Sequence, residues 1–100
     1  MQQIKAPFYV AVEVGTAAIP VVSDMARSYN YFRIQVRHTN ADGSNNTAGN
    51  LLYGDSRQQI FELTKGEFSP WWPCERTDDL YVRVLSGNCT VAAVFSDVAA

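Results

Sequence analysis

Apolar and polar residues alternate with a period of two along most of the chain, the signature of strands with one buried face. Phe8, Val10, Val12 and Val14 alternate with Tyr9, Ala11 and Glu13, and Gly15 and Thr16 end this first strand. Residues 18–22 form a second short extended piece. Pro20 has no N–H to give to a ladder, so this piece belongs at an edge or on an irregular arm. In residues 31–38, Phe32, Ile34 and Val36 face one way and Arg33, Gln35 and Arg37 the other, which reads as core against solvent or partner. Residues 51–54 make a short strand, and Gln59, Phe61 and Leu63 alternate with Ile60 and Glu62. Pro70 and Pro73 keep residues 67–72 at an edge. Leu80, Val82 and Val84 alternate with Tyr81, Arg83 and Leu85, and the last strand, 89–95, places Cys89, Val91, Ala93 and Phe95 on one side.

Between these pieces lie turn signals. Asp55-Ser56-Arg57 and Lys65-Gly66 reverse the chain, and Ser86-Gly87-Asn88 suits a tight hairpin that needs positive φ. Residues 39–50 are all small or turn-forming, which predicts a long, exposed, mobile loop. Residues 23–28 are the only stretch fit for a helical turn, and residues 74–79 read as polar loop. The total is about eight short strands in a small antiparallel β-sandwich or barrel. Phe32, Ile34, Val36, Val82, Val84 and Val91 are expected inside it. The reading is all-β, one domain over residues 1–100, with 1–15 as an N-terminal arm or edge strand.

Composition narrows the function. Apolar residues make up 47% of the chain, too many for a disordered segment, while the 18% charged share lies below the ~25% of an ordinary domain. A shortage of charge on so small a surface suggests that part of it is meant for a partner. Eight Lys and Arg stand against ten Asp and Glu, a net charge of −2, which argues against a nucleic-acid binder. Glu13, Pro7, Gly15 and Pro20 interrupt the longest nearly uncharged run, residues 6–22, so neither a membrane-spanning helix nor a signal peptide is expected there. Synthesis in the cytoplasm of a cell, with use there or release by lysis, follows as the expectation.

Candidate chemistry is sparse. His38 is the only histidine, and nothing marks a nucleophile and an orienting group around it. Cys74 has Arg76 near it but also Glu75, so a silent thiol is expected there, and Cys89 reads as buried in a strand. Two cysteines and one histidine are too few for a metal centre. The segment 40–45 has oxygen ligands and Gly43, but the glycine comes two places early for a calcium-binding EF-hand loop and no glutamate closes it. Two glycosylation sequons, at Asn45 and Asn88, read as chance matches. Asp78 and Asp79 are adjacent, so their side chains diverge. No enzyme and no cofactor are expected.

Trp71-Trp72 is the most unusual feature. Two adjacent rings cannot both face one core from an extended segment. Either both are buried under loops, or one points outward to a protein interface or a sugar. Phe32-Arg33-Ile34-Gln35-Val36, Asn50-Leu51-Leu52-Tyr53-Gly54-Asp55, Gly66-Glu67-Phe68-Ser69-Pro70, Asp79-Leu80-Tyr81-Val82 and Ser86-Gly87-Asn88-Cys89-Thr90-Val91 carry a resemblance over residues 31–95. Together they resemble small β-sandwich virion proteins of tailed bacteriophages, of the capsid decoration (cement) and head-fibre type. The resemblance implies a structural protein that binds the outside of an assembled capsid, with the major capsid protein or another virion protein as partner. It also implies a homo-oligomer, often a trimer, located in the virion. Phe68, Trp71 and Trp72, with Tyr53, Ile4 and Phe8, are the expected partner interface, and the segment 2–14 would add a strand to a neighbour. The alternative is a carbohydrate- or receptor-binding module that uses Trp71, Trp72 and Tyr53 as a stacking platform.

Overall fold

The computed structural model describes residues 5–99. Among them are eight strands: β1 Phe8–Val14, β2 Ile19–Pro20, β3 Tyr31–Val36, β4 Leu51–Gly54, β5 Phe61–Leu63, β6 Trp72–Pro73, β7 Tyr81–Val84 and β8 Cys89–Ser96. They build two four-stranded sheets, the first in the order β1-β8-β3-β6 and the second in the order β2-β7-β4-β5. Every pairing is antiparallel. The fold is the small β-sandwich that the alternating pattern predicts. The N-terminal segment supplies β1, an edge strand of the first sheet.

Register explains the core. Directly opposite residues in adjacent strands share a face, so inward residues line up in rows across a sheet. In the first sheet these rows are Phe8–Phe95–Phe32, Val10–Ala93–Ile34 and Val12–Val91–Val36. In the second they are Leu63–Leu51–Val84 and Phe61–Tyr53–Val82–Ile19. The six residues that the pattern places inside are all buried. Gly87 turns the β7–β8 hairpin at φ 72°, a conformation that costs a side chain but not glycine.

Three segments depart from the sequence expectation. Residues 23–28 form no helical turn. The chain bends at Asp24 and Met25, and the backbone beyond is used elsewhere: Thr77 N donates to Arg27 O at 2.9 Å, and Ser28 bridges Arg76. The one helical turn among the described residues is a 3-10 turn, Thr77–Asp79, in the stretch expected to be loop. The Asp79 carboxylate holds it by accepting from Arg76 N at 3.0 Å. Residues 39–50 are also more tightly held than their composition implies. Asn46, only 4% exposed, donates from Nδ2 to Arg37 O at 3.0 Å and accepts from Ala48 N through Oδ1 at 2.7 Å. Asn40 is buried too, and donates to Asn45 O and Ser44 Oγ. Amide side chains here do what apolar anchors do elsewhere, because each satisfies backbone groups that burial would otherwise orphan.

The expected consequence is that Asn46→Ala costs about 2 kcal/mol of unfolding free energy, since it strands the buried Ala48 N–H and the partly buried Arg37 carbonyl. Ser44→Ala, at an exposed site, should cost well under half of that in the same chemical denaturation series.

Candidate functional site

The strands leave one face of the first sheet open. On β1 the outward residues are Tyr9, Ala11 and Glu13, on β8 Thr90, Ala92 and Val94, and on β3 Arg33 and Gln35. They align as Tyr9–Val94–Arg33 and Ala11–Ala92–Gln35. An outward sheet face is normally polar, yet here the middle of the face is Ala11, Ala92 and Val94. Tyr9 stands up on one side, 73% exposed, and Phe68 on the other, 53% exposed. Between them runs an open groove of about 460 Å³ with an almost wholly apolar lining.

Phe68 reaches this face because the segment before β6 lies along β3. Gln35 bridges Phe68, and Ser69 N donates to Ile34 O at 2.8 Å. Ser69 is fully buried and its Oγ accepts from Ile34 N at 3.0 Å, so the hydroxyl acts as a backbone surrogate where the strand is irregular. Arg33 donates from Nε to Ser69 O at 3.1 Å, and its guanidinium carbon lies 4.6 Å from the Phe68 ring centre. Gln35 Nε2 donates to Gly66 O at 3.3 Å. Arg33 and Gln35, the polar face of β3, therefore hold the Phe68 wall in place.

The other expected interface residues lie elsewhere. Tyr53 is only 4% exposed, so it offers almost no surface to a partner or a sugar. Its hydroxyl accepts from Trp72 Nε1 at 3.0 Å, and its ring is 5.7 Å from that of Phe61. Phe61 in turn lies 4.9 Å from Trp72. Tyr53 and Phe61 come from the second sheet and Trp72 from the first, so this aromatic cluster ties the two sheets together at one end. Trp72 packs against the core, and Trp71 is half-buried. A cleft of about 310 Å³ opens beside the cluster, with Asp55, Glu75 and Asp79 on its rim. The Asp55 carboxylate is engaged in its own turn, where Gln58 N and Arg57 N donate to it and hold its pKa below the ordinary value.

Phe8 is half-buried, 6.3 Å from Phe95, with the Arg27 guanidinium 4.1 Å above its ring. The described residues before Pro7, part of the segment expected to reach a neighbour, are bound to the chain's own sandwich. Lys5 lies over the Tyr29 ring, donates to Ser28 O and pairs with Asp97, and the Tyr29 hydroxyl donates to Ala6 O. Ile4 lies outside the described residues. The groove was not anticipated, although the sequence carries its signal: β8 has no charged residue on either face, the mark of a central strand with apolar cover on both sides.

Among the described residues no group of three or more His, Cys, Asp and Glu side chains is arranged to hold a metal. Cys74 and Cys89 are free thiols. Burial pushes the Cys74 thiol up to about 11, with the Asp79 and Asp97 carboxylates adding to the effect, and its Sγ donates to Tyr29 O.

Two expectations follow. Trp72→Ala should lower the stability of the isolated chain by about 2–3 kcal/mol, while Phe68→Ala should cost about 0.5 kcal/mol, both read from thermal unfolding. Cys74, whose pKa is raised in the folded state, stabilises the protein below pH 9 and loses that contribution as pH rises towards about 11. Native-state alkylation should accordingly stay slow at pH 9 and accelerate only near pH 11, whereas the unfolded chain reacts readily at pH 9. No protein-family model, no curated protein and no solved structure matches the chain.

Proposed function

We propose that the chain is a structural virion protein that adheres to the outside of an assembled phage capsid, through the outer face of its first sheet. The observation that carries this reading is the groove between Tyr9 and Phe68: a broad apolar face on the side of the first sheet turned away from the core. Contiguous apolar surface of this kind marks a protein partner. The groove is shallow and open, suited to a ridge or strand of a large surface. The resemblance of residues 31–95 to phage decoration proteins supplies the class of partner, the major capsid protein. The activity is binding alone, without a cofactor, and the protein's place is the virion.

A second reading has its own support. The cleft beside Trp72 and Phe61 combines aromatic rings with the carboxylates of Asp55, Glu75 and Asp79. Rings that stack and carboxylates that accept hydroxyl protons are what a sugar needs, so this cleft is the site of the carbohydrate-binding alternative.

The two readings part in one experiment. The chain should co-sediment with shells assembled from the major capsid protein of the phage that carries its gene. Phe68→Ala should weaken that binding roughly thirtyfold, the loss expected for one buried aromatic anchor. Binding to a glycan array that Phe61→Ala abolishes, with no co-sedimentation, would instead establish the carbohydrate reading.

A further inference from the structure

Sheet edges offer unpaired N–H and C=O groups, and proteins normally blunt them with proline, short length, lysine or a bulge. Three of the four edges here are treated in this way. β2 is two residues long and contains Pro20, β6 is two residues long and contains Pro73, and β5 has only three residues. β1 is different. It is seven residues long, contains no proline or lysine, and runs in unbroken register with β8 on its other side. Among the described residues nothing pairs with its outer backbone edge.

The core is also open on that flank. Phe8, Val10 and Val12 face inward but remain half-exposed, whereas their row partners on β3 and β8 are buried. The reason lies in the facing sheet, whose edge strand on that side, β2, is too short to cover seven residues of β1.

From these observations we infer that β1 pairs antiparallel with β1 of a second copy of this chain, joining two sandwiches through one continuous eight-stranded sheet. The strand is self-complementary for this purpose. A two-fold axis through Ala11 places Phe8 opposite Val14 and Val10 opposite Val12 on the inner face, so the exposed flank of each core is covered by the other. On the outer face it places Tyr9 opposite Glu13 and Ala11 opposite Ala11. The only charge on the strand, Glu13, therefore meets a tyrosine and not another carboxylate. Like charges directly opposite would oppose pairing, and this register has none. Isologous pairing of this kind closes on itself as a dimer and leaves no β1 edge free to propagate.

The dimer stands independently of the capsid reading, because it is a property of the isolated chain. If that reading also holds, the axis runs perpendicular to the sheet and both grooves face the same way. One dimer then presents two adhesive faces to one surface, and avidity follows.

Sedimentation equilibrium of the purified chain over a range of concentrations is the test. The expected mass is twice 11.1 kDa at high concentration. Tyr9→Glu sets a glutamate opposite Glu13 at two symmetric positions and should weaken dimerisation roughly tenfold. Tyr9 is largely exposed, so the fold should survive, as far-UV circular dichroism will report. Adding Glu13→Lys to Tyr9→Glu restores opposite charges in the same register and should restore the dimer. A monomer at every concentration, a trimer, or a dimer indifferent to Tyr9→Glu overturns the inference.

Discussion

The last strand holds this protein together. β8 pairs with β1 on one side and β3 on the other, and it contributes Cys89, Val91, Ala93 and Phe95 to the interior. Phe95 is the centre of an aromatic group, with ring centres 6.2–6.4 Å from Phe8, Tyr29 and Phe32. Through Tyr29 and Phe8 it also fixes the N-terminal approach to β1, since Lys5 and Ala6 are tied to Tyr29 and Arg27 covers Phe8. A domain of about one hundred residues has little stability to spare. Much of what this one has is concentrated where the first, third and last strands meet.

That concentration continues along the same row of the first sheet, where Trp72 stands opposite Phe32. Tyr53, Phe61 and Trp72 come from different sheets and close the interior with ring contacts and one indole-to-phenol hydrogen bond. Residues 39–50 are fastened by asparagine amides, not by apolar anchors. The parts without strand ladders are thus each held by a small set of directed interactions. The broad face of the first sheet is not used for any of this, which leaves its apolar middle free for a partner.

The two faces of the first sheet show how much chemistry strand order carries. An edge strand has one ladder, and a central strand has two. β8, being central, is apolar on both faces, and its outward Ala92 and Val94 would be unremarkable under a helix or a second sheet. Here nothing among the described residues covers them except the flanking Tyr9 and Phe68. The Arg33 and Gln35 side chains line the groove on its Phe68 side, with polar atoms bonded to the carbonyls of the neighbouring edge segment.

The alternation of side chains determined by itself the strands, their inward faces and the sandwich, because a period of two has only one way to bury an apolar face. Phe32, Ile34, Val36, Val82, Val84 and Val91 were legible for that reason. The turns at Lys65-Gly66 and Ser86-Gly87-Asn88 were legible from residue chemistry. What the pattern could not decide was which strands become neighbours. That order made β8 central, left β1 at an open edge, and brought Phe68 over Arg33 from residues distant in sequence. Tyr53 and Trp72 illustrate the limit from the other side. Both are aromatic residues of the kind that anchor partners, but the pairing of β4 with β5 and of β6 with β3 turned them towards each other across the sandwich. An amide such as Asn46 reads as a solvated loop residue in one dimension, and only the folded chain supplies the orphaned carbonyl and N–H that draw it inside.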